Sequence, residues 1–277
     1  MKDIISCSRR TDIPWWYYGW LQDTLKNGSV ELLNSYSNTK YTVDLKPENV
    51  HSIVLWSKNY ANVLNNPGIL SKYNLYFQFT ANGYSKVLEP NAPSFLDMVS
   101  QMEELANTYS PEQINWRFDP IVLSKRGELN PTPKIGRARL DMFEMFCRRF
   151  SDIGIKRCTI SFMDVYDKVV GRLKNFKYAE LTEEQVLAFT KEMVEIAGEH
   201  DIQLYSCSSP IIEGVEGVKR GQCVDGVLLA ELFGERATKA KDQSQRKACG
   251  CCKSKDIGQY TQKCSGNCLY CYANPKE

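Results

Sequence analysis

Six short apolar or β-branched runs, at 3–8, 52–57, 74–80, 114–119, 157–162 and 202–207, are separated by longer stretches of helical period. A chain with this alternation builds a mainly parallel sheet covered by helices. The helical stretches carry single apolar stripes: Phe95, Met98, Val99, Met102 and Leu105; Leu140, Phe143, Phe146 and Phe150; Val186, Phe189, Met193 and Ile196. Each stripe needs one face of a sheet. Thr182 with Gln185 forms a capping box for the third stretch, and Gly28 stands where a C-cap would stop a first helix. The segment 30–45, with Asn38 near its middle, reads as an inserted hairpin. No GxGxxG or GxxxxGK[ST] follows any of the runs, so neither common phosphate-cradling loop is present. Six βα units in about 235 residues predict an α/β protein, a partial (βα)6 TIM-like barrel.

From Gly234 onward the text turns polar, glycine-containing and cysteine-rich. Six of the eleven cysteines fall in the last 29 residues. Residues 235–277 carry a formal charge of +5 against −3 for 1–234, within a total of +2. The expected organisation is a barrel body over 1–234 and a cluster-binding cysteine tail over 235–277, packed on the barrel. The near-neutral total gives no support to nucleic acid as an obligate partner, without excluding it. No apolar stretch approaches the ~20 residues of a membrane span. The start, MKDIISCSRR, has no apolar core of signal-peptide length, so the expected location is the cytoplasm, with reduced thiols. Clustered cysteines there hold metal or do redox chemistry more often than they form disulfides.

The densest motif is Cys264-Ser-Gly-Asn-Cys268-Leu-Tyr270-Cys271. Three thiolates in so short a loop can wrap one face of a 4Fe-4S cubane, leaving the fourth iron open and reactive. A zinc site is the alternative, although the two histidines, His51 and His200, both lie outside the tail. Cys207, Cys223, Cys249 and Cys251 offer a second, closed set, with Cys252 as a neighbour able to replace Cys251; the alternative for Cys207 and Cys223 is apolar packing. Cys7, Cys147 and Cys158 fall in strand or helix text and read as core.

The triplet, with its aromatic Tyr270, resembles the signature of the radical S-adenosylmethionine superfamily. The wider pattern resembles the "domain of unknown function 1848" family over nearly the whole chain: Ser8 to Pro14, Trp56 to Asn59, Gln78 to Thr80, Trp116 to Pro120, Ser161 to Asp164 with Tyr166, Cys249-Gly-Cys251, Asp256-Ile-Gly and Cys264 to Asn274. The superfamily resemblance implies a cluster whose open iron chelates the methionine end of S-adenosylmethionine. It also implies a 5′-deoxyadenosyl radical that takes a hydrogen atom from a substrate of unknown identity, and a reductant such as flavodoxin or ferredoxin. Superfamily members carry the triplet after the first strand, whereas here it closes the chain, so this chemistry requires the tail to return to the strand ends.

The strand ends of a βα barrel carry its site. Here they present Arg9, Arg10 and Asp12, then Lys58, Gln78 and Thr80, Arg117 and Asp119, Asp164 and Cys207. Arg9, Arg10 or Arg117 could hold the methionine carboxylate or an anionic substrate, and Asp119 or Asp164 could accept from ribose hydroxyls. An internal arginine–aspartate network, such as Arg117 with Asp12, is the competing reading. The run from Trp15 to Tyr18 either stacks a base or packs the start of a helix, and the basic stretch Lys239, Lys241, Arg246 and Lys247 reads as a solvated linker. The function expected is that of a radical S-adenosylmethionine enzyme. A metal-stabilised binding or electron-transfer protein is the rival, and a nucleic-acid repair enzyme is a substrate variant of the first.

Overall fold

The computed structural model describes residues 1–33, 39–124, 136–174, 176–259 and 261–271. Eight parallel strands form one sheet in the order β10-β1-β4-β5-β6-β7-β8-β9. They are β1 (Asp3–Cys7), β4 (Val50–Ser57), β5 (Leu75–Thr80), β6 (Ile114–Ile121), β7 (Arg157–Phe162), β8 (Gln203–Ser206), β9 (Val218–Arg220) and β10 (Lys255–Asp256). The helices are α1 (Ile13–Trp16), α2 (Tyr18–Asn27), α3 (Ala61–Asn65), α4 (Phe95–Thr108), α5 (Arg137–Asp152), α6 (Asp167–Leu173), α7 (Glu183–Glu199), α8 (Pro210–Glu213) and α9 (Gly226–Phe233). Strands β2 (Ser29–Leu33) and β3 (Lys40–Asp44) pair antiparallel as a separate ribbon. Asn38, expected near the middle of the hairpin, lies outside the described residues, as does Asn274. No helix among the described residues is long and apolar enough to cross a membrane.

The architecture is an α/β fold whose parallel sheet resembles a partial (βα) barrel. The six expected strands become eight because β9 and β10 are short and polar, VKR and KD. Strands so brief have no period to detect, and at sheet edges they need little apolar character. The helices follow their stripes. Thr182 and Gln185 make both bonds of the capping box on α7, Ser94 and Asp97 make a second such box on α4, and Gly28 closes α2 at φ 70°.

Alternation along each strand divides core from interior. On β6, Trp116 and Phe118 face α5 and pack with Phe143, Phe146 and Phe150; the Trp116 and Phe143 rings stack at 5.3 Å. Arg117 and Asp119, between and beyond them, point the other way. Ile4, Val54 and Tyr76 line the lower interior with Val224 and Leu229. Above them a polar layer joins three strands: Asn115 Nδ2 donates to Gln78 Oε1 at 2.7 Å and to Thr159 Oγ1 at 2.9 Å. Gln78 Nε2 then donates across to Cys223 O at 2.7 Å, which shows how far the sheet curls.

The sheet does not close by pairing β9 with β10. Helix α9 descends through the seam to its foot, where His51 bonds Glu235 O at 3.1 Å and Lys2 pairs with Glu235 at 2.9 Å. The chain then climbs back, with Cys252 N donating to Val224 O at 2.9 Å, and enters β10 beside β1. Asp256 fixes it there. Its carboxylate accepts from Ser6 Oγ (2.9 Å), Ser8 Oγ (2.9 Å), Arg9 N (3.0 Å) and Gly258 N (2.9 Å). Gly258 sits so close that a Cβ would stand 1.9 Å from Ser8 Oγ.

Asp256→Ala strands four donors, two of them on buried serines, and is expected to cost about 3 kcal/mol. Urea denaturation would read this as a lower midpoint at unchanged slope. A change within about 0.5 kcal/mol would remove Asp256 from this role.

Candidate functional site

The returning tail covers the C-terminal ends of the strands and encloses a cavity of about 320 Å³. Seven cysteines line it: Cys207, Cys223, Cys249, Cys251, Cys264, Cys268 and Cys271. Arg9, Arg10, Asp12, Lys58, Thr80, Arg117, Asp119, Asp164 and Tyr270 also line it. The terminal triplet, distant in sequence from the ends of β1 to β9, is thus brought to the barrel rim.

The triplet end of the cavity rests on the β5–α4 connection. Leu269 N donates to Leu88 O at 3.0 Å, and Asn91 Nδ2 to Ser265 O at 2.6 Å. Arg172 of α6 donates to the carbonyls of Cys268 and Cys271 from the other side. Beneath them Glu89 is fully buried. Its Oε1 accepts from Lys58 Nζ at 2.8 Å, from Asn82 Nδ2 at 3.1 Å and from the Tyr270 hydroxyl. Burial alone would raise the Glu89 carboxyl and lower the Lys58 ammonium; their mutual attraction, with the Tyr270 and Asn82 bonds to Glu89 and the Cys268 and Cys271 sulfurs near Lys58, outweighs burial and holds Glu89 below and Lys58 above its ordinary range. Tyr270 is therefore a tail anchor, with its hydroxyl spent on Glu89. Burial pushes the Cys268 thiol up to about 12 and raises Cys264 as well. The sulfurs of Cys264 and Cys268 lie 3.4 and 3.8 Å from where a Cβ on Gly266 would stand, so both flank that glycine.

The β1–α1 connection forms the next wall. Asp12 caps α1 and accepts from Ser57 Oγ (2.6 Å), Lys58 N (2.9 Å) and Trp15 N (3.2 Å). Burial raises its carboxyl to about 6 against these bonds. Arg10 Nη1 donates to Gly258 O at 2.6 Å. Trp15 and Trp16 stack on one another at 4.3 Å and face the cavity, while Tyr17 and Tyr18 pack against the core. Two lining polar atoms here, Thr11 Oγ1 and Trp16 Nε1, are buried without a hydrogen-bond partner.

At the opposite end Arg117 Nη1 donates to Cys223 Sγ at 2.9 Å, and its Nη2 pairs with Asp119. The other oxygen of Asp119 accepts from Ser161 Oγ. The pairing of Arg117 with Asp12 considered from sequence does not form, because Asp119 lies on the same strand face two residues on. At the mouth Arg246 Nη1 donates to Asp164 Oδ2 at 3.1 Å and Tyr166 Oη at 3.3 Å, which draws one member of the basic stretch into the rim. Gln78 does not reach the cavity: it is fully buried and its amide is used between Asn115 and Cys223. Cys7, Cys147 and Cys158 are buried in the main core, and Cys252 packs in the seam.

The sequence model of the family described as Domain of unknown function (DUF1848) matches residues 4–273. The chain belongs to this family. No curated protein matches it. The strand-end residues and both cysteine segments of this DUF1848 chain lie within the matched range. All eleven cysteines are free thiols. No three His, Cys, Asp or Glu side chains among the described residues converge on one metal-ion position.

Glu89 and Asn82 escape sequence reasoning. Glu89 stands in a connection well beyond the end of β5, where an acidic residue reads as solvated; the long run between Thr80 and Phe95 is the signal that this connection builds something. Glu89→Leu leaves Lys58 buried without its counter-charge and is expected to cost about 3–5 kcal/mol, whereas Lys58→Met with Glu89→Leu should recover most of that loss. Equal losses in the single and double variants, measured by urea denaturation, would mean the pair is not the unit that matters.

Proposed function

We propose that this protein is a radical S-adenosylmethionine enzyme whose 4Fe-4S cluster is held by Cys264, Cys268 and Cys271. One observation carries the reading: the chain's last segment is bent back so that these cysteines share a cavity with the polar strand ends, where βα-barrel proteins do their chemistry. The donor set fits such a group, being the sulfurs of Cys264 and Cys268 on either side of Gly266 with Cys271 lining the same cavity, and no fourth ligand within the triplet. When bound, the cluster supplies an electron to the sulfonium of S-adenosylmethionine and so a 5′-deoxyadenosyl radical.

The protein's own residues supply position and dryness. Thr11 Oγ1 and Trp16 Nε1 are buried donors awaiting acceptors, and both open onto the cavity beside the triplet. A ligand's oxygens or ring nitrogens would satisfy them, since a buried unpaired donor costs about 1–3 kcal/mol. The stacked Trp15 and Trp16 rings give an adenine a flat apolar wall. Lys58 carries positive charge to the triplet end, facing Cys268 and Cys271 and lying 5.8 Å from the Tyr270 ring centre. Thr80 and Asp119 offer oxygens on the sheet side. Arg246, Asp164 and Tyr166 form a polar mouth through which a substrate would enter.

Anaerobic reconstitution of the wild type should load about four irons and four sulfides on the triplet. Dithionite with S-adenosylmethionine should then yield 5′-deoxyadenosine, and Cys268→Ala should abolish it. Iron loading without deoxyadenosine would instead favour a metal-stabilised binding or electron-transfer protein. Tight zinc with no sulfide, or unchanged cleavage by Cys268→Ala, would overturn the assignment.

A further inference from the structure

The second cysteine group combines apolar packing on one side with a close approach of sulfurs on the other. Cys207 leaves β8, Cys223 follows β9, and Cys249 and Cys251 come from the climbing tail, so three separate segments bring sulfur to one side of the cavity, although as the side chains stand no three of them meet at a single metal-ion position. Close backbone approaches bring them there. A Cβ on Gly221 would stand 2.5 Å from Ser206 O, and its amide donates to that same oxygen at 2.8 Å, which locks the exit of β9 onto the exit of β8. A Cβ on Gly250 would stand 3.0 Å from Gly221 O, so the Cys249-Gly-Cys251 turn is seated directly on that junction. The Cys207 and Cys223 sulfurs are then 3.6 Å apart and unbonded. Two thiolates sharing one tetrahedral ion at ~2.3 Å stand at about this separation. Cys251 adjoins both Cys223 and Cys249.

Cys251, Cys223 and Cys249 back onto the apolar cluster of Ile4, Val54, Tyr76, Val224 and Leu229, and the other side of the group carries hydrogen-bond donors. Arg117 Nη1 lies 2.9 Å from Cys223 Sγ and its Nη2 3.9 Å from Cys207 Sγ, and Val224 N donates to Cys251 Sγ at 3.4 Å. The guanidinium of Arg9 lies beside Cys251 and Cys223, with Nη2 buried and without a hydrogen-bond partner. Both arginines also have carboxylate neighbours, Asp119 for Arg117 and Asp242 for Arg9 at 3.8 Å. With those carboxylates in place, four thiolates would leave the region strongly negative, and a metal cation supplies the positive charge the residues lack. N–H groups aimed at sulfur are the outer shell that thiolate ligands carry in metal sites.

We propose that Cys207, Cys223, Cys249 and Cys251 form a second metal centre, a closed tetrathiolate site for a thiophilic cation, either one zinc ion or an iron–sulfur core. The thiols turn onto the occupant and release their protons as it binds, since metal ligation by cysteine requires the thiolate. The proposal is independent of the function assigned to the triplet.

The test uses the full chain with the triplet removed, Cys264→Ser/Cys268→Ser/Cys271→Ser, purified and reconstituted without oxygen. This variant should retain metal, as about one zinc or about four irons with matching sulfide; the element found tells the two occupants apart. X-ray absorption at that metal's edge should give an all-sulfur shell at ~2.3 Å, a readout that needs no further substitution. Adding Cys223→Ser/Cys251→Ser should remove the metal. A triplet-free protein without stoichiometric metal, a retained metal with oxygen or nitrogen in its shell, or a Cys207–Cys223 disulfide found by mass spectrometry would each overturn the proposal.

Discussion

Everything at the barrel rim depends on one carboxylate. Asp256 gathers two serine hydroxyls and two backbone amides, and through them joins the last segment of the chain to the first strand. The strand it belongs to is two residues long, so backbone pairing alone would hold it weakly. Cysteines flank it on both sides: Cys249, Cys251 and Cys252 before, Cys264, Cys268 and Cys271 after. Both cysteine groups are therefore positioned by the same short clamp. Their chemistry is local, but their placement is a property of the seam where the sheet fails to close.

The same economy governs the strands. Because side chains alternate, a run such as Trp116-Arg117-Phe118-Asp119 places large rings against α5 and charged groups in the interior within four consecutive residues. The aromatic packing outside fixes the polar groups inside. Arg117 is not a loose cation waiting for a ligand: Asp119, Cys223 and Gln78 already surround it. Burial acts to lower its guanidinium, and the neighbouring Cys223 sulfur and Asp119 carboxylate outweigh that and raise it. A charge so enclosed remains a cation and stays where the strand puts it.

The six longer strands, the apolar stripes of α4, α5 and α7 and the rim positions of Arg9, Lys58, Thr80 and Arg117 were legible in the sequence, because period 2 and period 3.6 patterns survive without knowledge of neighbours. What period cannot encode was not legible. Strands β9 and β10 are too short to have one. Gln78 looks like a rim residue from its place near the end of β5, yet the curl of the sheet turns it toward Asn115 and Cys223. Glu89 belongs to an irregular connection and becomes buried only because Lys58 and Tyr270, from distant segments, arrive to meet it. The return of the tail could be stated as a requirement of the chemistry, but the means, Asp256 with Ser6 and Ser8, lies in contacts nearly the full length of the chain apart.

An accounting of the polar groups around the cavity narrows where a ligand is recognised. Lys58 is engaged by Glu89, Arg117 by Asp119 and Cys223, and Asp12 by Ser57 and the amides of Lys58 and Trp15. Among the described residues, the buried lining donors that remain unsatisfied are Arg9 Nη2 and Thr11 Oγ1, from the segment joining β1 to α1, and Trp16 Nε1, from α1 itself. Unpaired buried donors persist in folded proteins at a cost, and a concentration of them on one wall of one cavity marks the wall that a ligand completes. That segment begins at Ser8, whose hydroxyl bonds Asp256 as the Arg9 amide does, so the clamp that delivers the cysteines also orients the donors that face them. The two cysteine groups and these unpaired donors are thus placed by the same junction between the first strand and the last.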